Sequence, residues 1–445
     1  MTNENKTAVE RLLSVVTEVR AGESSRTLAL GLNAFVLMFS YYLLRAVRDG
    51  LIIAESGAEI RSYSAAWQAL LLMALVPAYA ACAARVNRIM LMTYATLFFV
   101  VNLLLFAALG FAGVREGVVF FVWVGMFNVL VMAQFWSFAN DLHTEAAGKR
   151  LFVIIMLGAN LGATAGGQVA RSMAAALGPY GLMVLAAGLL AACIWITRGI
   201  NARAVVVQRV AEIPLKDTGV LEILRKDRYL QALALLMVVL NLVNSTGEYL
   251  LARFVGSEAL RQVGADLAAQ RIFVTEFSGE VSSWFSILSM VLQLFFVSRI
   301  FRYAGVGAAL LILPVLALTG YSMILAVPVI GMIKWVKIFE NGTDYSIQNT
   351  ARQALFLPTT REAKYKAKAA IDTFFVRTGD VFSACLVWVG THWVILSIQG
   401  FAAMNLVFTL AWLAVAAAIG REYKRRTQPP AAKLPAVGAP QGAIA

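Results

Sequence analysis

The chain has 445 residues, of which 60% are AVILMFWYC and 14% DEKR, and a formal net charge of +13. Soluble domains are roughly 45–50% apolar and about 25% charged, so an ordinary soluble protein is excluded and an all-α integral membrane protein is expected. Three cysteines and two histidines, widely scattered, make neither a disulfide framework nor a metal cluster, and no metal, cofactor or enzymatic chemistry is expected.

A bilayer crossing takes about 20 mostly apolar residues. Residues 1–26 are polar, which fits no cleavable signal peptide. Within them Val9, Leu12, Leu13, Val16 and Val19 fall at helical spacing with charges opposite. A short helix on the membrane face fits this pattern, and a loosely ordered terminus fits it equally well. Twelve apolar runs follow. Spans 1–6 are 27–54, 64–84, 89–112, 118–139, 151–177 and 180–197. A polar connection, 198–228, precedes spans 7–12 at 229–254, 281–300, 306–326, 327–354, 369–394 and 397–419. The segment 421–445 is basic at first and then rich in Pro, Ala and Gly, a composition expected to be disordered. The expected organisation is therefore a six-helix half at 27–197, a linker, and a second six-helix half at 229–420.

With both termini placed in the cytoplasm, 27 of the 38 Lys and Arg fall on the cytoplasmic side, 7 on the other, and four inside spans. Cytoplasmic loops are enriched in Lys and Arg. The positive charge is thus a topology signal and gives no support to a nucleic-acid partner. A bacterial inner membrane is the expected location.

The halves echo each other faintly. Residues 84–88 read ARVNR after span 2 and 298–302 read SRIFR after span 8; spans 4 and 10 carry FWSFAND and DYSIQNT, each before a basic loop. Parallel six-helix halves are the major-facilitator arrangement, with a substrate site near the midplane. Polarity recurs every third span. Span 1 carries Arg45, Arg48 and Asp49; span 4 Asn128, Gln134 and Asn140; span 7 Asn241, Asn244, Ser245, Thr246 and Glu248; span 10 Lys334, Lys337, Glu340, Asn341, Asp344, Gln348 and Arg352.

An ionisable group at the bilayer centre costs about 2.5–3.5 kcal/mol on insertion scales, so span 10 is expected to face a cavity. Its Lys334, Lys337, Asn341, Asp344, Gln348 and Arg352 follow i+3 and i+4 steps along one stripe. Asp380 lies about midway along span 11, with Arg377 nearer the cytoplasm, and Asn241 and Asn244 lie about 18–22 Å along span 7. Cations exceed acids in this set, and cations in a low-dielectric cleft attract anions. Arg45, Arg48, Lys334, Lys337 and Arg352 are the candidates for an anionic group, with Asn241, Asn244 and Asn341 as neutral donors. Asp49, Glu248, Glu340, Asp344, Arg377 and Asp380 are the candidates for coupling or gating. Plain internal pairing, such as Lys337 with Glu340 or Arg377 with Asp380, is the competing reading.

Weaker signals have structural explanations. Gly158, Gly162 and Gly166 have the spacing of helix packing, and no Gly-Lys-Ser/Thr follows to make a phosphate loop. Arg171 reads as a snorkelling interface residue, and Trp136 and Trp335 read as packing or interface residues.

The stretches YYLLRAVRDGL (41–51), FWSFAN (135–140) and DYSIQNTARQALFLPTTREAKYKAKAAID (344–372) resemble the bacterial and plastid ATP/ADP translocases, the nucleotide transporter family. The resemblance runs over roughly residues 9–426 and is closest to the shorter homologues of free-living bacteria. It implies twelve spans and counter-exchange of nucleotides. The family's basic residue late in span 1 is matched by Arg48, and its basic residue at the end of span 10 by Arg352. The family's span 4 glutamate has no counterpart in 118–139, and its span 7 glutamate falls at about Asn244, one turn before Glu248.

The expected function is secondary transport by a monomer, an antiporter of nucleotides or a related phosphorylated or carboxylated anion. A proton-coupled facilitator of another solute and a non-transporting regulatory membrane domain are the alternatives.

Overall fold

The computed structural model describes residues 7, 10–11, 17, 19–20, 22–83, 88–143, 145–202, 220–360 and 362–427. Most of the expected interfacial helix, most of the 198–228 linker and the 428–445 tail lie outside the described residues. Every regular element among the described residues is a helix.

The helix α1 (Ser24–Ala83) has 60 residues. Straight, it would measure about 90 Å, three times a hydrocarbon core of about 30 Å. It folds back instead at Gly57, whose φ of 81° suits a residue without a Cβ. The helix α4 (Glu145–Ala202) turns in the same way at Gly178, φ 66°, just before Pro179. Each therefore holds two of the expected spans. Between them stand α2 (Arg88–Phe111) and α3 (Gly117–Asp141).

After the short α5 (Val220–Lys226), α6 (Arg228–Val263) continues well past residue 254. The next helix, α7 (Leu267–Val291), starts well before 281 and passes through a π turn, Leu292–Phe296, into α8 (Val297–Tyr303). The sequence expectation cut α7 short because Arg271, Glu276 and Glu280 interrupt its apolar run. Two of these charges are satisfied by other helices: Arg271 by Glu55 at 2.6 Å, and Glu280 by Lys334 at 2.8 Å. Next come α9 (Gly305–Ala326) and α10 (Ile330–Thr343), then a π turn at Asp344–Gln348 leading into α11 (Asn349–Leu355). Two more π turns, Ala363–Ala367 and Ile371–Phe375, flank α12 (Lys368–Ala370) and lead into α13 (Val376–His392). The last helix is α14 (Ile398–Thr427).

Eight helices are long and apolar enough to cross a membrane. Large apolar side chains such as Trp67, Phe98, Leu105 and Trp195 point outward, as a lipid-facing surface requires. Two apolar cores lie inside, one built from α1–α4 around Phe120, Trp123 and Phe127, the other from α6–α14 around Tyr249, Tyr321 and Phe401.

Lipid is as apolar as leucine, so helix association depends on close backbone approach and interhelical hydrogen bonds. Gly158, Gly162 and Gly166 on α4 lie against the carbonyl oxygens of Gly31, Phe35 and Phe39 on α1, too close to admit a Cβ. The packing reading of that spacing accounts for all three. A second crossing joins the two bundles: a Cβ on Gly279 of α7 would lie 2.6 Å from the Gly167 carbonyl oxygen of α4.

Candidate functional site

A polar cavity of about 220 Å³ lies where the two bundles face each other. Its wall carries the guanidinium groups of Arg45, Arg48, Arg61 and Arg377 and the carboxylates of Glu248, Asp344 and Asp380. Asn241, Asn244 and Asn341 add neutral polar groups, and Tyr41, Phe121 and Tyr345 add rings.

Most of these charges are tied to one another. Arg48 donates to Asp49 at 3.1 Å and lies over the Phe121 ring at 4.4 Å. Arg61 reaches Asp49 at 3.4 Å and Glu248 at 3.1 Å, so it joins the two halves of α1 to α6. Arg377 pairs with Asp380 at 3.5 Å, and Asp380 also accepts from Asn241 at 2.7 Å and Ser245 at 2.6 Å.

Arg45 differs. Its guanidinium lies over the rings of Tyr42 at 5.7 Å and Phe285 at 5.2 Å. Among the described residues it has no hydrogen-bond or carboxylate partner. Five N–H donors in a planar fork therefore stand at the cavity wall, the geometry that suits a phosphate or carboxylate.

Span 10 is more dispersed than a single stripe. Lys337 is 1% exposed and sits behind the wall, 3.0 Å from Glu340, 3.5 Å from Glu248 and 3.1 Å from the Asn244 carbonyl oxygen. Lys334 turns away to Glu280, which Arg171 also approaches at 4.0 Å. Arg352 pairs with Asp344 at 3.6 Å. The π turn at Asp344–Gln348 explains the dispersion: an extra residue per turn shifts the register of all that follows. Of the sequence candidates, Arg45, Arg48, Asn241, Asn244, Glu248, Asn341, Asp344, Arg377 and Asp380 meet at the cavity. Asp49, Lys337 and Glu340 back it, and Lys334 and Arg352 stand off it. Glu248, expected near an outer mouth, is instead the acid at which Arg61, Lys337 and Asn341 converge.

Arg61, Gln68, Tyr41, Phe121 and Tyr345 were not among the sequence candidates. Arg61 falls between two predicted spans and reads there as a loop charge. The tyrosines read as ordinary apolar positions.

One end of the bundle is tied shut around Gly57. Glu55 Oε1 accepts from Arg271 at 2.6 Å across the two bundles, and Glu55 Oε2 accepts from the Gly117 amide at 2.8 Å. Beside them Glu116 is 5% exposed, and neither of its carboxylate oxygens has a hydrogen-bond partner. Burial, and then the charge of Glu55, push its carboxyl up to about 7. Among the described residues no group of three His, Cys, Asp or Glu is placed to hold a metal ion.

The chain matches the family model for the TLC ATP/ADP transporter over residues 2–113 and 313–423. It belongs to the TLC ATP/ADP transporter family. Both matched stretches carry cavity residues, Arg45, Arg48 and Arg61 in one and Asn341, Asp344 and Arg377 in the other. Relatives of this family member include the ADP,ATP carrier protein 1 of Chlamydia pneumoniae, 22% identical over 57% of this chain and 56% of that protein. The plastidic ATP/ADP-transporter of Solanum tuberosum is 24% identical over 68% of this chain and 52% of its own length. The match thus spans about half the length of these two curated relatives. It is longer for the ADP,ATP carrier protein 1 of Chlamydia trachomatis serovar D, 22% identical over 83% of this chain and 82% of that one.

Solved structures of like fold include a peptide transporter POT in complex with sulfate, TM-score 0.64 at 13% identity, covering 93% of this chain and 99% of that one. The nucleoside transporter NupG superposes with TM-score 0.62 at 13% identity, covering 91% of this chain and 100% of that one. At such identity the likeness concerns the fold, which is a major-facilitator-like, multi-pass membrane fold.

Proposed function

We propose that this chain is a secondary antiporter that exchanges organic anions of the nucleotide type between two six-helix halves, 27–197 and 229–420. The observation that carries the reading is Arg45. A transporter needs a binding group left open to solute in a cavity between moving halves, and Arg45 presents unused donors there while its neighbours hold one another. Membership of the TLC family and relatives named ADP,ATP carriers support a nucleotide as the anion.

Twelve spans follow from dividing α1 and α4 at their glycines and counting the interrupted helices 330–355 and 363–392 as one span each. The excess of Lys and Arg on the side of the termini supports a cytoplasmic location for both ends in a bacterial inner membrane. Asp49, Glu248, Glu340, Asp344, Arg377 and Asp380 serve in this reading to balance the fixed cations and to re-pair as the halves move. Lys337 and Arg352 hold those acids in place, and Lys334 ties α10 to α7.

The test is counter-exchange in proteoliposomes. Labelled nucleotide should enter only when an organic anion is trapped inside, and Arg45→Gln should reduce the rate at least tenfold while the protein stays monodisperse. A rate unchanged by Arg45→Gln, or uptake independent of internal anion, defeats the proposal.

A further inference from the structure

The charges around the cavity form one connected set, and its balance bears on which anion fits. Among the described residues the set comprises six cations, Arg45, Arg48, Arg61, Lys337, Arg352 and Arg377, and five carboxylates, Asp49, Glu248, Glu340, Asp344 and Asp380. Every carboxylate lies within 4.0 Å of a cation: Asp49 of Arg48 and Arg61, Glu248 of Arg61 and Lys337, Glu340 of Lys337, Asp344 of Arg352, and Asp380 of Arg377. Taken at formal charge, one positive charge is left over. Geometry assigns it to Arg45, the one cation of the set with no carboxylate partner among the described residues.

We infer that the solute carries a single compact anionic group of one to two charges, as a nucleoside monophosphate does, and that polyphosphates are excluded. This deepens the proposed function and rests on it. A phosphate monoester brings about −1.5 to −2 at neutral pH, close to what the surplus can meet. Each further phosphate adds negative charge with no cation free to receive it. In a desolvated cleft such uncompensated charge is strongly disfavoured. Size agrees with charge. The cavity of about 220 Å³ is smaller than the roughly 300–1,000 Å³ of pockets that hold drug-sized ligands. It seats one charged group against Arg45, with Tyr41 and Tyr345 beside it for a neutral ring.

The carboxylates set the limit, so neutralising one should relax it. Asp344 is the best placed: it lines the cavity, and it neutralises Arg352 alone. Asp344→Asn leaves two unmatched cations and should move preference toward a more highly charged solute.

Full-length protein in proteoliposomes would be loaded with AMP and offered labelled AMP, ADP or ATP outside. The expected result for wild type is AMP exchange at least tenfold faster than ATP exchange. Asp344→Asn should narrow that ratio at least threefold, and melting temperatures in detergent with each of the three nucleotides should change in the same order. Should Asp344→Asn not fold, Glu248→Gln supplies the same change of charge. ATP exchange equal to or faster than that of AMP overturns this inference and leaves the antiporter standing. An unchanged ratio in a folded charge variant also overturns it. Absence of exchange with every nucleotide overturns the antiporter reading as well.

Discussion

Lys337→Met would strip the ammonium from an ion pair buried behind the cavity wall. Glu340 would then keep only the Tyr321 hydroxyl, 3.3 Å away, as a donor to Oε2, while its Oε1 already lacks a partner. Glu248 would retain Arg61 at 3.1 Å and Asn341 at 3.4 Å. The damage therefore centres on one stranded carboxylate, and removing one partner of a buried pair costs about 3–5 kcal/mol. At roughly 2–4 °C per kcal/mol, the melting temperature should fall by about 6–20 °C. Lys337→Met with Glu340→Gln removes both charges and should recover most of that loss, because a buried pair replaced as a whole is close to neutral. Thermal unfolding in detergent, followed by tryptophan fluorescence, reads both proteins. A single variant within about 2 °C of wild type, or a double variant no better than the single, would refute the account of Lys337 as the counter-charge of Glu340.

Glu116 gives a pH test. Its carboxyl, pushed up to about 7, binds a proton more tightly folded than unfolded, so the stability gained from that proton is complete below about pH 4.5 and lost as pH rises through 7. Glu116→Gln should flatten the dependence of melting temperature on pH between 5 and 8.5 and stabilise the protein above pH 7 by up to about 3 kcal/mol; an unaltered pH profile would count against the burial of a lone acid. Gly162→Leu places a side chain into the Phe35 carbonyl and should prevent recovery of monodisperse protein, whereas Gly188→Leu, with open space around it, should purify like wild type. Glu55→Gln weakens the tie to Arg271; an engineered Ser282→Cys should then react with a membrane-impermeant maleimide at least threefold faster, and equal rates would show that the pair does not hold that end shut.

The spans were legible because each is a long apolar run, and the glycine ladder on α4 was legible because its four-residue spacing has one mechanical use. Lys337 with Glu340 and Arg377 with Asp380 were legible as pairs because each is three residues apart on a helix. The ties that set the site were not. Glu55 meets Arg271 across 216 residues and Arg61 meets Glu248 across 187, and no local pattern encodes such distances. The π turn in span 10 hid the fate of Lys334 and Arg352, since periodicity presumes a constant pitch. Arg45 and Arg48 looked equivalent in sequence; only the presence of Asp49 beside one and rings beside the other separates them.

The Gly167–Gly279 crossing has a mechanical consequence. It is where α4 and α7 touch backbone to backbone, so it acts as a fulcrum. Arg271 lies eight residues from Gly279 along α7, about 12 Å of lever at 1.5 Å per residue. A tilt of about 15° about that axle carries its Cα roughly 3 Å, enough to part a guanidinium from its carboxylate without any helix unwinding. Large openings at the rim can thus be driven by small rotations at a hub made of two residues that have no side chains to jam.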